Sequence, residues 1–246
     1  MAGDSAKNPI QTTRNSFRLL ELLVESGGTT LSALDSQADL SRGAIYNHLA
    51  TLQDVGVVVK RNQKYYPSLR CLRQGEAARR SLPGTEEARK HLWSLADSTG
   101  ELGAIAVKET DMAIVGDLSV GQLVENLWVS LGTELPLHST AAGKMILAHE
   151  SDSYILKHCN KAEESIDTEA LLEEIKTIRL QGLAFSRGEY RENQYSVAAP
   201  VTDRNDNFVY AVTLIGPQSR LSGKSLQQDV AGLVVNTADQ IERSLL

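Results

Sequence analysis

The stretch Ser41-Arg42-Gly43-Ala44-Ile45-Tyr46-Asn47-His48-Leu49-Ala50-Thr51-Leu52-Gln53-Asp54, closed by Gly56, decides how the first third of the chain folds. Ser41 is a good helix N-cap and Gly56 a good stop. Between them Ile45, Leu49 and Leu52 recur at helical spacing, so they share one face and turn it to a core. Arg42, Gly43, Tyr46, Asn47 and Ala50 are then turned outward. Past Gly56 the period changes. Val57-Val58-Val59 and Tyr65-Tyr66-Pro67 predict two short strands around the basic turn Lys60-Arg61-Asn62-Gln63-Lys64.

Working back from this helix, Thr30 caps a short one with Leu31, Leu34 and Ala38 on one face, ending near Asp39. Before it, a helix from about Thr13 to Glu25 repeats Phe17, Leu20 and Val24 and is stopped by Gly27-Gly28. Three helices and a hairpin predict a winged helix-turn-helix. Such a unit puts its third helix into the major groove of DNA. Arg42, Gly43, Tyr46 and Asn47 would lie nearest the bases, and Ser41 and Thr51 nearer phosphate. Asn47 suits adenine and Arg42 suits guanine or phosphate. Tyr46 has a second reading, in which its ring packs on the first helix and shows only its hydroxyl. His48 lies beside the core face and reads as structural. Lys60, Arg61 and Lys64 at the hairpin tip would grip backbone or minor groove, and Arg14, before the first helix, would reach phosphate.

The chain has 246 residues and a formal net charge of -6. The charge is split. Residues 1–80 hold 11 basic and 7 acidic side chains, which is +4, leaving -10 for the remainder. A basic head on an acidic body is expected when one part meets phosphate and the other does not. Hydrophobic residues are 41% and charged residues 23%, which excludes disordered and fibrous chains. No apolar run approaches a membrane span, and the start lacks the apolar core of a signal peptide, so the expected compartment is the cytoplasm, with no membrane partner. Cys71 and Cys159 stand far apart with no ligand spacing near them, so two reduced thiols, no metal and no cofactor are expected.

A further helical stretch, Leu72 to Ser81, is broken by Pro83-Gly84. The expected organisation is 1–70 for the winged helix-turn-helix, 71–84 for a helical linker and 85–246 for a second domain. That domain opens with a helix over Thr85 to Ser98, stopped by Gly100. Strands are predicted at Leu102–Val107, Met112–Leu118, Val124–Val129, Leu183–Ser186, Tyr195–Thr202 and Phe208–Ile215. Helices are predicted at Ala141–Ala148, Ser151–Lys157, Thr168–Leu180 and Ser225–Leu245. Short turns such as Asp203 to Asn207 make the sheet largely antiparallel, an α+β arrangement.

The run Leu131-Gly132-Thr133-Glu134-Leu135-Pro136-Leu137-His138-Ser139-Thr140-Ala141-Ala142-Gly143-Lys144 resembles the signature of the IclR family of transcriptional regulators. Ser98-Thr99-Gly100-Glu101, Ala198-Ala199-Pro200-Val201 and Gly216-Pro217 resemble further family motifs, and Thr12-Thr13-Arg14 through Gly75 resembles the family's winged unit. Asn47 to Leu52 looks most like archaeal members. The resemblance implies a repressor or activator whose carboxy-terminal domain is GAF-like and binds a small metabolite. It also implies a homodimer formed through the amino-terminal unit, able to pair again into a tetramer on a palindromic operator in double-stranded DNA. Carried over motif by motif, the effector positions are Val124, Leu127, Leu135, Ala141, Ala142, Ser186, Ser196, Thr213 and Ile215. Members that bind small keto or oxo acids commonly have serine at the position of Ile215 and aspartate at that of Ser186, and this chain has neither.

The residues make chemical sense of such a site. Ala141, Ala142 and Gly143 open a helix whose free N–H groups and positive dipole end suit a carboxylate. Ser196 and Thr213 would add hydroxyl donors, and Val124, Leu127, Leu135 and Ile215 an apolar wall. Ordinary packing explains each of these residues singly, so convergence on one cleft is what would distinguish a site. Two alternatives stay open: an architectural DNA-binding protein without effector, or an enzyme with a fused DNA-binding unit. His138, Ser139, Asp152, His158 and Cys159 form no recognisable nucleophile, base and orienter, so catalysis is not expected. Gly143-Lys144 fails as a phosphate loop, because His138 and Met145 stand where Gly and Ser/Thr are required. The Pro83-Gly84 break suggests that ligand acts by changing how the linkers space the recognition helices.

Overall fold

A computed structural model describes residues 8–162, 165–223 and 229–245. The chain divides into two compact units, Met1–Ser81 and Leu82–Leu246.

In the first unit α1 (Gln11–Glu25), α2 (Leu31–Asp35) and α3 (Arg42–Asp54) pack around Leu19, Leu22, Leu23, Leu34, Ile45, Leu49 and Leu52. Ser41 caps α3 by accepting from the Ala44 N–H, and Thr30 caps α2 through Ala33. The α2 helix is one short turn and ends at Asp35, before the expected Asp39. Helix α1 begins at Gln11, which places Arg14 within the helix rather than before it. The apolar stripe expected to be buried on α1 is not the one used. Phe17 is 62% and Val24 63% exposed, while Leu19, Leu22 and Leu23 meet α3. Two apolar stripes occupy α1, and periodicity does not say which of them finds the core.

The strands β1 (Thr29–Thr30), β2 (Val58–Arg61) and β3 (Lys64–Pro67) form a sheet in the order β1-β3-β2. Its hairpin turns through Asn62 and Gln63, at φ 47 and 65. A left-handed pair matches the twist of a two-residue hairpin. Helix α4 (Cys71–Arg79) completes the unit.

The second unit is built on six antiparallel strands: β4 (Leu102–Glu109), β5 (Met112–Val120), β6 (Glu134–Pro136), β7 (Ala184–Arg187), β8 (Gln194–Thr202) and β9 (Phe208–Pro217), ordered β6-β5-β4-β9-β8-β7. Both faces are apolar. Ile105, Val107, Val197, Val212 and Leu214 pack against α5 (Thr85–Thr99) and the terminal helix, whose described part runs Ala231–Leu245. The start expected for that helix, Ser225 to Gln228, lies outside the described residues. Ala104, Ala106, Ala198 and Ala211 face α6 (Ala141–Ala148), α7 (Asp152–Lys161) and α8 (Thr168–Gln181). Alternate side chains of one strand thus serve two cores, as the pleat requires.

The strand expected at Val124–Val129 is absent. The segment runs as a strap without regular secondary structure, and the edge position is taken by β6, which pairs with β5. Ladder bonds are supplied elsewhere: the Gly132 N–H donates to Val115 O and the Val115 N–H to Thr133 O, while 124–129 finds no neighbouring strand. At Gly143 a Cβ would stand 2.4 Å from Pro136 O and 2.5 Å from Leu137 Cα. Only glycine lets α6 lie this close to the backbone leaving β6.

Candidate functional site

On α3, Arg42, Gly43, Tyr46, Asn47 and Thr51 are all exposed, as is the cap Ser41. Tyr46 is 56% exposed and turns much of its side chain to solvent. His48 is structural: its Nδ1 lies 2.8 Å from Ser16 Oγ on α1. Thr51 donates its hydroxyl to Asn47 O, and Arg42 approaches Asp35 at 3.9 Å, a loose exposed pair that water screens. Lys60, Arg61 and Lys64 are exposed around the hairpin tip, with Lys60 Nζ 5.1 Å from the Tyr65 ring centre. Arg14 is exposed on α1. These cations and the open α3 face belong to one unit.

In the second unit the sheet register brings the effector positions together. Ser186 pairs with Ser196, Ser196 with Ile215, and Thr213 with Ala198. They face a small cavity of about 20 Å3, closed also by Leu135, Thr140 and Ala142. Six expected positions therefore converge: Leu135, Ala142, Ser186, Ser196, Thr213 and Ile215. Val124 and Leu127 do not join them. They line an adjoining cleft of about 210 Å3 with Glu101 and Arg220, and Ile215, Trp128 and Gln194 border both spaces. Ala141 is wholly buried and lines neither.

The donors differ from the expected set. Thr213 gives its hydroxyl proton to Val197 O at 3.0 Å, and Ser186 gives its own to Ser139 O at 2.8 Å. Both are thereby spent as donors. Ser196 Oγ has no bond among the described residues and is the hydroxyl left for a ligand. Thr140 caps α6 by accepting from Gly143 and donating to Pro136 O. The first N–H groups of α6 beyond this cap, at Ala141 and Ala142, have no intrahelical acceptor.

The charged rim was not foreseen. Tyr190 and Arg191, on the loop between β7 and β8, border the cavity with Trp128 from the strap. Trp128 and Tyr190 lie 5.9 Å apart with rings tilted by 53°, and the Arg191 guanidinium lies 4.5 Å over the Trp128 ring. An exposed Arg in a polar loop carries no sequence period, so only its contact with the indole singles it out. In the adjoining cleft, Glu101 is buried and accepts from Arg220 Nε and, at 2.9 Å, from Nη2. That bonding holds Arg220 still more firmly protonated than usual.

Of the residues weighed for catalysis, Asp152 pairs with Arg179 at 2.8 Å, and the Ser139 carbonyl accepts from Ser186. The His158 ring lies 6.1 Å from that of His138, its buried Nε2 has no partner among the described residues, and burial lowers its pKa. Among the described residues no cluster of His, Cys, Asp or Glu could hold a metal, and no helix is long and apolar enough to cross a membrane.

A winged helix-turn-helix with an open third helix, in one chain with a helix-flanked antiparallel sheet that encloses a small cavity, defines a helix-turn-helix transcriptional regulator. The chain belongs to the IclR family: residues 78–243 match the family described as bacterial transcriptional regulator IclR C-terminal. It is 26% identical over 252 residues to the "Probable HTH-type transcriptional regulator ArcR" of Halobacterium salinarum, covering 98% of this chain and 96% of that one. It is 24% identical over 239 residues to the HTH-type transcriptional regulator KdgR of Escherichia coli, covering 94% and 91%. Among solved structures, Thermotoga maritima IclR superposes with a TM-score of 0.75 at 23% identity, covering 96% of this chain and 98% of that one. An IclR homologue from Microbacterium hydrocarbonoxydans, crystallised with 4-hydroxybenzoate, gives 0.79 at 18% identity, covering 95% and 98%.

Proposed function

We propose that this chain binds a palindromic operator as a homodimer, able to pair again into a tetramer, and that a small carboxylate in the second unit controls that binding. Helix α3 enters the major groove with Arg42, Gly43, Tyr46 and Asn47 toward the bases, while Ser41, Thr51, Arg14 and the hairpin cations Lys60, Arg61 and Lys64 engage the backbone. With +4 on residues 1–80, one head binds weakly, and useful affinity needs two heads on one operator. Phe17 and Val24, left exposed on α1, support a second copy as the cover of that stripe. A regulator of this kind works in the cytoplasm, beside its DNA, and not as an enzyme.

The observation that carries the effector reading is the convergence of Ser186, Ser196, Thr213 and Ile215 beneath the start of α6. The α6 N–H groups and Ser196 Oγ offer neutral donors to the oxygens of a small acid, and Leu135 and Ile215 offer an apolar wall. About 20 Å3 holds roughly one water, so an effector also occupies the adjoining cleft of about 210 Å3, which Trp128, Gln194 and Ile215 join to it. The Microbacterium homologue was crystallised with 4-hydroxybenzoate, itself a small carboxylate.

A thermal-shift screen of small aliphatic and aromatic carboxylates tests the effector half. At least one acid is expected to stabilise the protein, and stabilisation by none contradicts it. Footprinting tests the other half: two protected half-sites about one helical turn, or a multiple of it, apart are expected. Protection of a single asymmetric half-site by a monomer contradicts it.

A further inference from the structure

Arg191 differs from the other cations around the cavity. Arg220 is bound by Glu101, and buried Lys144 by both Glu174 and Glu189. Among the described residues Arg191 has no carboxylate partner. Its guanidinium instead lies 4.5 Å from the centre of the Trp128 ring. Stacking occupies the flat face of a guanidinium and leaves the N–H edge, with its two-pronged geometry, open to a carboxylate.

The backbone that carries Arg191 is pinned. Arg191 O accepts from Gln194 N at 3.0 Å and Asn193 O from Gln218 N at 2.8 Å. Two residues before it, Glu189 takes the Arg187 N–H on one oxygen and Lys144 Nζ on the other, at 2.6 Å. The loop is therefore tied to α6, the helix whose start closes the cavity, and much of the cost of ordering the arginine has been met before a ligand arrives. The wall itself holds no opposing charge: its side chain at 186 is a serine whose hydroxyl is spent on Ser139 O. Of the two acidic groups that line the adjoining cleft, Glu101 is paired with Arg220 and Glu125 is exposed to water.

We propose that Arg191 is the specificity-determining residue that makes this cavity select anions, its guanidinium edge receiving the acid group of the effector while the indole of Trp128 holds the arginine in place. The inference rests on the carboxylate reading above and assigns its full positive charge to one side chain. Lys144 is a positioning residue in this scheme, acting through Glu189.

The test uses the full-length protein with benzoate, 4-hydroxybenzoate, phenylacetate and adipate, each beside its neutral amide, titrated calorimetrically into wild type, Arg191→Gln and Arg191→Lys. Arg191 is exposed, so all three fold alike, and matching melting temperatures without ligand check this. An acid that binds wild type is expected to weaken roughly 10- to 100-fold in Arg191→Gln, with Arg191→Lys between the two and the amide unchanged. Equal affinity of that acid for wild type and Arg191→Gln overturns the inference and leaves the carboxylate reading standing. Binding of none of the acids to wild type overturns the carboxylate reading, and the inference with it.

Discussion

Buried Lys144 reaches Glu189 across 2.6 Å, and its side chain is 0% exposed while the carboxylate remains partly open to water. With Glu174 on the other side at 2.8 Å, the ammonium ties α6 to α8 and to the loop after β7. A buried cation with two anions is tolerable, and one with none is not. The double substitution Glu174→Gln with Glu189→Gln is expected to cost about 3–5 kcal/mol, whereas Lys144→Met, which removes the buried charge and keeps most of its volume, costs far less. Urea unfolding followed by tryptophan fluorescence compares them. An equal loss in both variants contradicts this account of the site.

The α3 face predicts two different kinds of loss at the operator. Asn47→Ala is expected to cost about 1–3 kcal/mol against the preferred sequence and little against scrambled DNA. Lys64→Ala weakens both alike and lowers the salt slope by about one. Fluorescence anisotropy over a salt series separates the two. A uniform loss from Asn47→Ala would remove it from base reading.

The stripe on α1 carries the assembly prediction. Phe17→Glu with Val24→Glu places charge where an apolar partner is expected, so sedimentation should show dissociation with α3 still folded by circular dichroism. Unchanged mass would move the interface elsewhere.

Burial holds the His158 imidazole below its ordinary value of 6.5, with His138 adding to the effect. Above 6.5 neither the folded nor the unfolded chain carries the proton. As pH falls through 6.5 the unfolded chain takes it up first, so stability declines until the lowered folded pKa is passed. Denaturation midpoints are expected to fall between about pH 7 and pH 5 in wild type and to fall less in His158→Gln. Identical slopes would place the acid sensitivity elsewhere.

Much of this molecule is legible in residue order. Ser41, Ile45, Leu49, Leu52 and Gly56 fix α3 by cap, period and stop, and alternation along β8 and β9 puts Ser196, Thr213 and Ile215 on one face. What resists reading is choice among equals and contact at a distance. The two apolar stripes of α1 look alike until α3 takes one. Val124 to Val129 has strand composition and no strand beside it. The hydroxyls of Ser186 and Thr213 look like ligand donors until register sets each against a carbonyl. Arg191 gains meaning only because the strap, some sixty residues earlier, sets Trp128 beneath it.

An acid bound in the second unit is expected to change what the first unit does to DNA. The most direct measurement is operator affinity by anisotropy, with and without a carboxylate already shown by calorimetry to bind, in wild type and in Ala142→Leu, which fills the cavity wall. Wild type is expected to change affinity by roughly 5- to 150-fold on saturation, and Ala142→Leu not at all. Unchanged operator affinity in wild type with the acid bound would mean that the second unit does not control DNA binding.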